Sequence, residues 1–504
     1  MAVSSSPTVT FIEHLPVLTV LVPLLAAPII VLIGSRFLAW KIAFLASLVS
    51  CLFASNLLLD TIDGSVISYA LGGWEPPLGI EYRIDAANAF VLFLISGVST
   101  LVLPYAKRSV EFEIREVSHT LFYCCYLLCF AGLLGVVATG DAFNVFVFLE
   151  ISSLSTYVLV AMGAERDKRA LTAAYDYLIM GTIGATFFVI GIGFLYMATG
   201  TLNMADMSDR LANLEDNRTV QAGFAFIVVG MGLKAAIYPM HLWLPGAYTY
   251  APSVVTAFLA ATATKAAIYV IARFMFSVYQ PEFIFEIHTL NWVIIPLALL
   301  AMFAASLIAV FQRELKRLLA YSSIAQIGYM MLGIGFMTKT GLSASIVHLF
   351  NHGVTKATLF MAAGAYIMRG GSSFCDRLSG MGSRMPFTSA AFVVGGLSLI
   401  GVPGTAGFIS KWVLVQAAFE KGWWWMALLI VASSLLAVIY VWRIVEILYL
   451  QSPPEDQETE EAPWSMVVPM WLLAGVCIWS GLNTEFTLGA AATAADGFLS
   501  GGGQ

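Results

Sequence analysis

The chain has 504 residues, 59% of them hydrophobic and only 11% charged, with a formal net charge of −6. Soluble domains carry about 25% charged residues, so this composition excludes a soluble globular protein and points to a polytopic membrane protein. The net charge says little, because most charges sit in loops, and no basic cluster has the density that nucleic acid requires.

The N-terminus, MAVSSSPTVTFIEH, lacks a basic segment ahead of its apolar run and resembles an uncleaved first helix rather than a signal peptide. Fourteen apolar segments of spanning length follow, at 15–34, 42–59, 84–104, 118–138, 142–162, 171–198, 220–240, 254–278, 291–312, 318–337, 342–368, 386–415, 423–449 and 464–482. With the N-terminus outside, fifteen Lys and Arg fall at the inside ends, six at the outside ends and four within the spans. That bias satisfies the positive-inside rule and places both termini outside. The polar loop 200–219 then lies outside, and the acidic run 452–463, read as a solvated loop, lies inside. Of the six cysteines none forms a C-x-x-C pair, and Cys51, Cys124, Cys125, Cys129 and Cys477 stand in apolar runs. They read as small buried residues, and no cofactor is expected.

The chemistry lies in charges that interrupt the apolar runs. Glu150 stands in span five, in TGDAFNVFVFLE. An ionisable residue inside a membrane span is costly and marks a functional site when it has a partner; the partner expected here is Lys234. Dehydration and a neighbouring carboxylate act on an ammonium in opposite senses, so a Glu–Lys pair can change protonation with its surroundings. A static packing ion pair is the plainer reading, and snorkelling to the interface is the plainer reading for Lys234 itself. Span seven carries Lys234, Tyr238, Pro239, His241 and Pro245, and the prolines are expected to break it. Span eight carries Lys265 among small residues that allow close helix packing. Span ten has basic Arg313, Lys316 and Arg317 at its inside end, then a polar strip of Ser322, Ser323, Gln326 and Tyr329.

In span eleven His348, His352 and Lys356 recur at four-residue intervals and share a face. Three readings are open: a proton relay, structural hydrogen bonding, or a metal site on the H-x₃-H spacing. An ammonium on the same face opposes the metal, and no local carboxylate or cysteine completes a ligand set. Span twelve is expected to break at Gly401, Pro403, Gly404 and Gly407, just before Lys411. Two interrupted spans, each with a lysine, point to internal repeats with sites near the midplane.

TGDAFNVFVFLE, GLKAAIYPMHLWLPGAY, KRLLAYSSIAQIGYM and GFISKW together resemble the antiporter-like subunits of respiratory complex I, membrane-bound hydrogenases and Mrp-type sodium/proton antiporters. The likeness covers about residues 80–450, and within the group it is strongest to the D-type subunits of Mrp antiporters. The resemblance implies an all-α polytopic fold of about fourteen helices. It implies inverted five-helix repeats at 118–278 and 291–449, preceded by residues 1–117 and followed by 450–504, with spans seven and twelve broken. Its functional positions fall on Glu150, Lys234, Lys265, His348 or His352, and Lys411. The complex I M subunit usually has glutamate where Lys411 stands. The resemblance further implies partner subunits, a cell-membrane location, and protons with Na⁺ as cargo; the redox complexes are the alternative setting.

Overall fold

The computed structural model describes residues 11–212, 214, 217–279, 288–452 and 460–500. Helices α1 (Leu15–Ile33) and α2 (Arg36–Thr61) form a peripheral pair. A short antiparallel hairpin follows, β1 (Ile67–Ala70) with β2 (Glu81–Ile84), in register Ile67 opposite Ile84. Next come α3 (Ala86–Glu113), α4 (His119–Ala138), α5 (Ala142–Ala161) and α6 (Arg169–Thr199). Asp85 starts α3 with a reciprocal capping box to Asn88, and Asp141 caps α5 through the Asn144 amide. These side chains satisfy amides that the first turn of a helix leaves unpaired.

The polar stretch 200–219, read as a loop, contains a short helix, α7 (Met204–Leu211), capped by Asn203. Span seven is divided as expected, into α8 (Arg218–Ala235) and α9 (Trp243–Tyr250). The break differs in one respect. Pro239 lies within it, but Pro245 lies inside the first turn of α9, where a helix amide has no intrahelical acceptor and proline is tolerated. Helix α10 (Ser253–Arg273) continues through a π turn at Phe274–Val278. Helix α11 (His288–Leu300) passes through a second π turn, Ala301–Ala305, into α12 (Ser306–Val310). Then follow α13 (Leu315–Gly335), α14 (Lys339–Gly370), α15 (Pro386–Ile400), α16 (Ala406–Glu420), α17 (Trp424–Leu450), α18 (Trp464–Leu482) and α19 (Glu485–Leu499).

Eleven helices among the described residues are long and apolar enough to cross a membrane. Spans seven, eleven and twelve are not among them: two are interrupted pairs, and α14 carries the polar face of span eleven. Most of the acidic run, residues 453–459, lies outside the described residues. Its last part is not free in solvent. Glu461 accepts the Phe387 amide at 2.7 Å and the Thr388 hydroxyl at 2.6 Å, and so caps α15 from a distant loop. Helix α19 was not expected, since its 15 residues fall short of the ~17–25 a span requires.

Helix α14 is the axis of the bundle. Nearly all of it from Gly341 to Ile367 is buried, and it packs on α3, α10, α13, α15, α16, α18 and α19. Helices α1, α2 and α17 expose large apolar side chains such as Leu32, Leu45, Leu428 and Trp442 outward, the face a bilayer would solvate.

Candidate functional site

Lys234 stands in the last turn of α8. The helix ends there because Ala236 takes a left-handed conformation, φ 56°, and the Ile237 amide turns back to the Gly232 carbonyl at 2.9 Å. Trp243 Nε1 donates to the buried Leu233 carbonyl at 2.9 Å. The orphan acceptors of a helix terminus are thus supplied locally, and Lys234 is left to reach α5. Its Nζ donates to Ser153 Oγ at 2.5 Å and lies 4.0 Å from Glu150 Oε1. Lys234 is buried, whereas the Glu150 side chain is 28% exposed. Glu150 Oε1 has no hydrogen-bond partner among the described residues. His241 lies in the break, stacked on Tyr238 with ring centroids 4.9 Å apart.

Lys265 is wholly buried on α10 and donates to the Ala260 carbonyl at 2.5 Å and to Thr264 Oγ1 at 3.4 Å. Helices α8 and α10 pack together, but Lys234 and Lys265 share no hydrogen-bond partner among the described residues. Towards α14 the fit is closer: a Cβ on Gly353 would lie 2.9 Å from the Ala261 carbonyl. The small residues around Lys265 and Gly353 let the two backbones approach.

On α14 the rings of His348 and His352 lie parallel, 5.9 Å apart. His348 Nδ1 bonds Ser410 Oγ at 2.7 Å, while His348 Nε2 and both His352 nitrogens have no hydrogen-bond partner among the described residues. Lys356 donates to Ser322 Oγ at 2.5 Å and to the Leu319 carbonyl at 2.8 Å. Among the described residues no group of three His, Cys, Asp or Glu side chains could hold a metal ion.

Lys411 completes the row. Pro403 and Gly404 lie in the break between α15 and α16, and Gly401 turns the chain with φ 90°. The broken end of α15 exposes its last carbonyls, and Lys411 Nζ donates to two of them, Leu399 at 3.1 Å and Ile400 at 2.8 Å. A cation at a helix C-terminus also meets the negative end of the helix dipole. The ammonium lies 4.7 Å from the Tyr329 ring centre, and that ring is 5.7 Å from His348.

Across residues 139–437 the chain matches the family model described as NADH:quinone oxidoreductase/Mrp antiporter, TM. The chain belongs to this family. Within the family it is 39% identical to NADH-quinone oxidoreductase subunit N of Desulforudis audaxviator, over 94% of this chain and 96% of that one. It is 31% identical to the D-type Na⁺/H⁺ antiporter subunit of Alkalihalophilus pseudofirmus, over 81% of each. Its fold is similar to a chain of the Mrp complex from a Dietzia species, with TM-score 0.90, 26% identity, and coverage of 97% and 98%.

In this member of the NADH:quinone oxidoreductase/Mrp antiporter family, the seven charged or imidazole residues singled out from the sequence form two groups. Glu150 and Lys234 make one; Lys265, His348, His352, Lys356 and Lys411 make the other. Sequence reasoning missed the hydroxyls that hold them, Ser153 and Ser410, because serine is common in any span. It also read Lys316 as an interfacial anchor. Lys316 is buried and donates to the Ala251 carbonyl at 2.6 Å. It passed over Glu113, which accepts the Ser253 amide and starts α10. The available signal was Pro252 before Ser253, a helix start with no capping side chain of its own.

Proposed function

We propose that the chain is the proton-translocating subunit of a multisubunit Na⁺/H⁺ antiporter in the cell membrane. The observation that carries this reading is the set of buried bases Lys265 on α10, His352 and His348 on α14, and Lys411 on α16, whose imidazoles have ring nitrogens without partners among the described residues. Buried charges normally have ionic partners. Here, among the described residues, Lys265, Lys356 and Lys411 are held only by neutral oxygens. Neutral acceptors serve an ammonium and impose no opposing charge, so a proton can be taken up or passed on without leaving a carboxylate uncompensated. Glu150 tunes Lys234 from the neighbouring helix. A proton crossing this row moves charge through the membrane, worth ~2.3 kcal/mol per charge per 100 mV. The two halves, 118–278 and 291–449, act as inverted repeats, each with one interrupted span.

The test is ΔpH-driven cation/proton exchange in inverted vesicles from an antiporter-deficient host that expresses the whole complex. Glu150→Gln is expected to abolish most exchange while the complex stays assembled on native gels. Undiminished exchange would make Glu150 a packing residue.

A second reading, the same proton module within a redox-driven complex, is favoured by the 39% identity to a quinone oxidoreductase subunit. Purification of the native complex separates the two. Iron–sulfur subunits among the partners would support the redox setting, and small membrane subunits alone would support the antiporter.

A further inference from the structure

Ser410 stands on α16, next to Lys411, and has two acceptors within reach. Its Oγ lies 2.7 Å from His348 Nδ1 on α14 and 3.2 Å from the carbonyl of Gly407, one turn back on its own helix. Ser410 and His348 are 1% and 5% exposed, so bulk water does not compete for either group. The serine is also held in place. Asn351, one turn along α14 from His348, donates through Nδ2 to the Ala406 carbonyl at 2.7 Å. The Gly407 amide donates to Ser398 Oγ at 3.2 Å, and a Cβ on Gly407 would collide with the Ser398 carbonyl. The first turn of α16 is thus pinned to α14 and to α15, which fixes where Ser410 meets the imidazole.

A hydroxyl has one proton to give and lone pairs with which to receive. Serine inside a helix often donates to a carbonyl one turn back, which here is Gly407. With its proton there, Ser410 accepts from His348 Nδ1–H. The neutral ring then keeps its lone pair on Nε2, the nitrogen without a partner among the described residues. The hydrogen bond made by one ring nitrogen decides which of the two carries the proton. This arrangement needs no rearrangement when Nε2 gains a proton, since Nδ1–H stays on Ser410 and the hydroxyl stays on Gly407. In the opposite arrangement the serine donates to Nδ1, and Nε2 carries the ring proton. The basic nitrogen is then already occupied, and a proton could enter only after the hydroxyl had turned away.

We propose that Ser410 is a positioning residue that holds His348 as the Nδ1–H tautomer, so that Nε2 is the nitrogen that takes up and releases the proton. This rests on the proton-translocating reading above and adds the orientation of one of its bases. One proton enters at Nε2 and one leaves from it, while the Nδ1 proton and the serine proton stay where they are.

Infrared spectra of the complete complex with isotope-labelled histidine test this, because the ring stretching bands of the two tautomers differ. The band of His348 is the one lost in His348→Gln. In the wild type it is expected at the Nδ1–H position. In Ser410→Ala nothing accepts Nδ1–H, so the band is expected to move toward the Nε2–H position. Cation/proton exchange is then expected to slow by roughly tenfold or more with the complex assembled. Ser410→Thr, which keeps the hydroxyl, should restore both the band and the exchange. A wild-type band at the Nε2–H position would overturn the proposal whether or not any variant assembles. An unmoved band or undiminished exchange in assembled Ser410→Ala would overturn it too. A wild type with the Nδ1–H band but no exchange would sink the antiporter reading and leave the tautomer assignment standing.

Discussion

Lys411 shows how a residue proposed for the proton path can also be part of the fold. Its ammonium answers the carbonyls of Leu399 and Ile400 at the broken end of α15. Leaving a buried acceptor unpaired costs about 1–3 kcal/mol. Lys411→Met is thus expected to lower the melting temperature of the purified complex as well as its exchange rate. Lys411→Arg, which still donates, should recover most of the melting temperature and little of the exchange. Equal recovery of both would mean that Lys411 only caps a helix. Charges of this kind were legible in the sequence because each stood alone in an apolar run. Their hydroxyl partners were not, because nothing in the sequence distinguishes Ser153 or Ser410 from other serines in spans.

At the scale of elements, the two breaks use different devices. In span seven a left-handed Ala236 and Pro239 end the helix, and Trp243 folds back on it. In span twelve glycine does the work. Gly401 supplies the left-handed turn, and a Cβ on Gly407 would collide with the Ser398 carbonyl. Overpacking of a close contact typically costs about 1–3 kcal/mol, so Gly407→Ala is expected to destabilise by about 2 kcal/mol in thermal unfolding. A neutral result would show that α15 and α16 can slide apart. Helix starts are also settled between elements, since α10 and α15 have no capping side chain at the preceding residue and receive Glu113 and Glu461 from elsewhere in the chain. Pattern reading along one helix cannot find a cap supplied from 140 residues away, which is where the Glu113–Ser253 contact lies.

For the whole molecule, the arrangement around α14 brings the halves together. Helix α10, which carries Lys265, packs closely on the histidine-bearing α14 because small residues allow the two helices to touch. Orientation in the membrane follows from charge rather than contact. The basic end, with Arg166, Lys168, Arg169 and Arg313, is expected to face the cytoplasm. Single cysteines at Lys168 and Asp209, both exposed, test this with an impermeant thiol reagent, since the native cysteines are buried or half-buried. Lys168→Cys should react only in inverted vesicles and Asp209→Cys only in right-side-out ones. The opposite pattern would reverse the topology.

Apolar runs and their rare charges by themselves determined the all-helical membrane class, most span positions and the identity of the buried ionisable residues. Hydrophobic length and the cost of a membrane charge are local properties, written in consecutive residues. Only the tertiary structure decided that α19 covers the bundle, that Pro245 lies inside a helix, and that Glu113 and Lys316 are buried at a helix start. It also decided that α10, which carries Lys265, packs against α14 at Gly353, while Lys234 pairs with Glu150. Those outcomes depend on which helices lie side by side, and side-by-side packing joins residues that the sequence holds far apart.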